Sequence, residues 1–170
     1  GPGNDASTKV LLQFPGADAS TTITDSNVGG SAHTWTAAGN AQIDTAQSKF
    51  GGSSLLCDGT GDWVTTPDHA DFTLTSKIFT IDCWVRPAAN GTDVYFAGQG
   101  ATTAIGDRVW SLLRFGSSGN HIQFVLAGSA AQVVLEGTTA VLAGTWWHIA
   151  VVGDGTTAYL FVNGALEDSD

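Results

Sequence analysis

The sequence predicts an all-β fold, a two-sheet antiparallel sandwich or jelly roll, and three observations predict it. Apolar and polar residues alternate over short windows, whereas the three- and four-residue recurrence of an amphipathic helix is nearly missing. The 170-residue chain carries 22 glycines and only 4 prolines, a balance that suits many short strands joined by tight turns. No stretch offers the long, usually helical crossover that a parallel sheet requires.

In chain order, the first strand window is 9–14, where Val10, Leu11, Leu12 and Phe14 cluster ahead of Pro15. Residues 18–52 are rich in Ser, Thr, Gly and Asn and read as a long surface excursion with one short strand at 42–44. Windows 53–57 and 63–66 flank Asp58-Gly59-Thr60-Gly61, a turn whose glycines supply positive φ. Window 78–86 alternates best: Phe79, Ile81, Cys83 and Val85 fall on one face, and Asp82, Trp84 and Arg86 on the other. Windows 94–97, 108–115, 121–127 and 132–135 follow, the second and third joined through the glycine-rich turn at 116–120. The last two, 146–152 and 158–162, are linked by Asp154-Gly155, and Asn163-Gly164 closes the series.

The length suits one domain with a two-layer core. Residues 1–4, opening Gly1-Pro2-Gly3 in a chain without methionine, read as the remnant of a removed tag, which leaves 5–170 as the domain. Sixteen acidic residues against six scattered basic ones give a formal charge of -10. Nothing there neutralises a run of phosphates, so nucleic acid is excluded as a partner. No apolar run approaches the length that crosses a bilayer as a helix, so membrane insertion is not expected.

Four constellations bear on chemistry. The trio Asp82, Trp84 and Arg86 combines an indole that can stack on a pyranose with flanking charges that bond its hydroxyls, and Trp110 extends this ligand surface if its strand lies adjacent. Asp58 and Asp62 in the DGTGD loop either hold one calcium ion with backbone carbonyls or cap turns by accepting backbone N–H groups. Cys57 and Cys83, both expected to point into the core by alternation, either form a disulfide or remain as buried free thiols. Glu136 and Glu167, the two glutamates, stand apart, so the carboxylate pair of a glycosidase is not expected. No histidine sits in a catalytic-triad context, and neither cysteine has the spacing of a zinc ligand.

Residues 49–74, KFGGSSLLCDGTGDWVTTPDHADFTL, followed by IFTIDCWVRP and later by GTWWHIAVVGDGTTAYLFVNGAL, resemble the LamG-like jelly roll of the concanavalin A-like lectin/glucanase superfamily. The opening VLLQFPGADASTTITDS with GNAQIDTAQSKFGG is similar to such domains in bacteriophage tail and other virion proteins. This resemblance implies a non-catalytic binding module, extracellular or on a virion surface, whose partner is a glycan or a surface protein. A structural, decoration or oligomerisation domain is the alternative, and a glycan-cleaving enzyme comes third. Three departures stand out: Cys57 replaces a common aromatic, Trp147 replaces a frequent histidine, and the chain ends soon after Asn163-Gly164 where the family continues through further strands. Either a second chain or another segment completes the sheet, or this sandwich closes with fewer strands.

Overall fold

The computed structural model describes residues 4–74, 78–100, 108–127 and 132–170. The fold is all-β and every strand pairing is antiparallel. The chain divides into two units, residues 1–71 and 72–170.

In the first unit β1 (Thr36–Ala38) pairs with β4 (Trp63–Thr65), and β2 (Gln42–Asp44) pairs with β3 (Ser54–Leu56). The strand expected at 42–44 is β2, but its surroundings are not a surface excursion. Ile23, Ala41 and Ile43 are buried, and residues 19 and 20 pair with Ile43 through Ala19 N–H to Ile43 O (2.9 Å) and Ile43 N–H to Ser20 O (2.7 Å). A few apolar residues spaced among polar ones suffice because backbone bonds and the buried Asp25 carboxylate together hold the segment. The window at 9–14 forms no strand and makes a single bridge, Leu12 with Asp25. Its Leu11 N–H goes instead to the Asp25 carboxylate at 2.9 Å, and Phe14 turns the chain with φ of 53°.

The second unit is the sandwich. One sheet runs in the order β12 (Ala165–Ser169), β11 (Ala158–Val162), β10 (Trp147–Asp154), β5 (Ile78–Val85). The other runs β6 (Val94–Gly100), β7 (Arg108–Phe115), β8 (His121–Leu126), β9 (Val133–Glu136). Between them Leu112, Ile122, Phe124 and Leu126 meet Ile149, Val151, Leu160 and Val162, with Phe79, Ile81, Cys83 and Val85 packed alongside. Rings cross the layer: Phe79 and Phe124 stand 6.2 Å apart by centroid. The period-two reading of β5 therefore holds, with its odd residues inward.

Of the two alternatives for the cysteines the free-thiol one holds, and one expectation about the interior is corrected. Both cysteines are free. Cys83 packs against the core as expected, and burial followed by the charge of Asp82 pushes its pKa up to about 12. Cys57 is exposed, because β3 ends at Leu56 and the Asp58 turn begins before alternation can carry the thiol inward.

Candidate functional site

Asp82 and Trp84 lie on the reverse of the β5–β10 sheet, exposed as the alternation predicts, and half-buried Arg86 follows the end of β5. Trp84 is paired across the strands with His148, the two rings 5.2 Å apart and tilted by 36°. Farther across the same face, Phe161 is paired with Leu166, which is 57% exposed. Trp110 does not extend this surface. It belongs to β7 in the opposite sheet, is buried in the core, and donates its indole N–H to Phe72 O at 2.9 Å.

Arg114, four residues on and on the same inward face of β7, is fully buried. Its guanidinium donates to Val141 O (3.2 Å), Ala89 O (2.7 Å) and Thr92 O (3.1 Å). Burial lowers its pKa while the nearby Asp93 charge works the other way. This arginine organises loops rather than meeting a ligand.

The reverse of the second sheet is concave. Tyr95, Phe115, Gln123, Val125, Ala127, Gln132 and Val134 line a cavity of about 260 Å³ that opens to solvent. Register explains the grouping: Tyr95 faces Leu113, which faces Gln123, while Val125 faces Val134, so these side chains share the face turned away from the core. Leu113 itself is buried beneath them, and Tyr95 is 52% exposed. Two aromatic rings beside two primary amides give a flat apolar wall with both donors and acceptors along its edge.

The DGTGD loop is held by its own carboxylates. Asp58 accepts from Asn40 Nδ2 (3.0 Å) and Thr60 N–H (2.8 Å). Asp62 accepts from Asn40 N–H (2.6 Å) and from Asp58 N–H. All four carboxylate oxygens thus point at N–H groups, the arrangement of turn-capping aspartates. A cation there would have to displace those donors.

One further group was not anticipated from the residues. His33, ahead of β1, meets His69 and Asp71 at the 3-10 turn of Ala70–Phe72, their ligand atoms all within 4.8 Å of one another. His33 Nε2 is 3.5 Å and His69 Nδ1 3.1 Å from Asp71 Oδ2. The ring centroids of the two histidines are 5.0 Å apart, edge to face. The short His-x-Asp spacing at 69–71 was the available signal; the position of His33 beside it depends on folding.

The glutamates stay apart in role. Glu167 accepts four hydrogen bonds from Thr138 and Thr139, between 2.7 and 2.9 Å. Burial alone would raise its pKa, but the hydroxyl and backbone donors of Thr139 and Thr138 outweigh this and hold it at about 2. Such a carboxylate is a poor proton donor near neutrality.

A family model described as the concanavalin A-like lectin/glucanases superfamily matches residues 58–170. No curated protein matches the chain in sequence. Among solved structures, a fragment of an S-layer domain-containing protein from Clostridium thermocellum (residues 221–444) is similar, with 22% identity and a TM-score of 0.57. The alignment covers 96% of this chain and 72% of that one.

Proposed function

The chain belongs to the concanavalin A-like lectin/glucanases superfamily, and from that premise we propose that it is a non-catalytic binding module that takes a carbohydrate on the concave reverse of the β6–β9 sheet. The observation that carries this is the cavity in which Tyr95 and Phe115 stand beside Gln123 and Gln132. An aromatic face matches the C–H side of a sugar ring, and a primary amide can donate to one hydroxyl while accepting from its neighbour. An open cavity of about 260 Å³ suits one sugar unit of a longer chain better than an enclosed small molecule. Display on a cell or virion exterior accords with this reading; the similar solved fragment comes from an S-layer domain-containing protein.

The test is a glycan array followed by calorimetry on the best ligand. Tyr95→Ala removes a half-exposed ring and is expected to weaken binding about tenfold or more while leaving the melting temperature of the sandwich within a few degrees. Trp84→Ala on the opposite sheet is expected to leave it unchanged. Binding that survives Tyr95→Ala but is lost with Trp84→Ala would move the site to the Asp82–Trp84 face and sink the proposal.

A second reading, a structural or oligomerisation module, is favoured by the apolar side chains on the reverse of the other sheet, where Leu166 and Trp84 are exposed on the same face as half-buried Phe161. A silent array together with concentration-dependent sedimentation, abolished by Leu166→Glu, would select it.

A further inference from the structure

We infer that His33, His69 and Asp71 form a binding site for a divalent transition-metal ion of the zinc class. The chemistry of the donors comes first. Two imidazoles and one carboxylate make a borderline set that favours zinc and its neighbours over calcium, which prefers oxygen alone. Geometry agrees with it. Around a tetrahedral ion with bonds of about 2.0–2.2 Å, neighbouring ligand atoms stand roughly 3.4 Å apart. The two contacts to Asp71 Oδ2, at 3.5 Å from His33 Nε2 and 3.1 Å from His69 Nδ1, already have that length. The remaining edge, between the two histidines, lies within 4.8 Å and closes by a small rotation of the more exposed His69 ring.

The site is also partly built before any ion arrives. The His33 side chain is 10% exposed and that of Asp71 27%, against 54% for His69. Two ligands are thus held by their surroundings, and the third is the most exposed of the set. The backbone of His33 is pinned by its N–H to Asp25 Oδ2 at 3.1 Å. Asp25 is itself buried and fixed by Leu11 and Asn27 N–H groups at 2.9 and 3.1 Å. Without an ion, His69 Nδ1 accepts the Asp71 N–H at 3.2 Å, the bond that coordination would replace.

Three protein ligands leave a fourth position for water or for an oxygen of a bound molecule. The ion would clip the segment before β1 to the segment after β4, two stretches distant in sequence. Linkage then requires that it stabilise the fold by an amount that grows with the logarithm of its concentration over its dissociation constant.

The experiment uses the whole chain, stripped with EDTA and dialysed. Zinc is titrated by calorimetry at pH 7.5, and cobalt is titrated alongside to read its ligand-field absorption. The expected result is one ion per chain, a melting temperature that rises with zinc and falls back with EDTA, and the intense visible bands of four-coordinate cobalt. His69→Ala, at an exposed position, and Asp71→Asn are each expected to cut affinity by more than about tenfold, while Asp58→Asn leaves it unchanged. Absence of stoichiometric binding, or binding untouched by both His69→Ala and Asp71→Asn, overturns the inference. Neither outcome bears on carbohydrate binding at Tyr95, which is assayed separately.

Discussion

Glu167 shows how much of the stability of this molecule rests on single polar side chains. Its four bonds to Thr138 and Thr139 tie β12 of one sheet to the segment that leaves β9 of the other. Because its folded pKa is about 2, below the roughly 4.3 of an unfolded glutamate, the carboxylate stabilises the fold fully above the unfolded value. That contribution is lost as pH falls from about 4.3 through 2. Glu167→Gln is therefore expected to cost about 2 kcal/mol at pH 7, with the difference from the parent shrinking toward pH 2. Denaturant titrations at neutral and acid pH check both the size and the trend. None of this is visible along the chain, where Glu167 stands in LEDSD far from its threonines. The same holds for His33, whose partners at 69 and 71 come to it only through folding.

Strands were legible to the degree that one face is wet. In β5 the exposed and half-buried residues alternate without a break, and the inward set Phe79, Ile81, Cys83, Val85 was readable as written. In β7 the signal fails, because Leu112 and Leu113 are both buried and a strand covered on both sides has no polar phase to read. Hence the expectation that Trp110 joins an exposed ligand surface fails, its indole being buried. Sheet membership was also out of reach, since β5 finds β10 rather than its neighbour in sequence. Strand β10 adds a lesson in space. Gly153 is paired with Phe79, and a Cβ at that position would clash with the Cδ1–Cε1 edge of the Phe79 ring. This glycine is required for room, having no positive φ. Gly153→Ala is expected to destabilise the sandwich by about 1–3 kcal/mol, measured as a lower urea midpoint with unchanged slope.

At the scale of the whole chain, the antiparallel sandwich was legible because alternation and glycine turns are local properties. The build of residues 1–71 was not, because its few buried residues, such as Ile23, Ala41 and Ile43, leave too sparse a pattern among serines and threonines. What the chain does with its two thiols is a property of the whole molecule as well. Cys57 is open to solvent, although partial burial and the charges of Asp62 and Asp58 raise its pKa. Cys83 packs its side chain against the core between the layers. A maleimide added to the native protein should attach once, at Cys57, slowly at neutral pH and faster as pH rises. A second attachment has to wait until β5 leaves the core. After Cys57 is capped or changed to serine, the rate of that second modification becomes a clock for the opening of the sandwich, readable by mass spectrometry without any added dye. The protein thus carries its own stopwatch, wound by the burial of one sulfur atom.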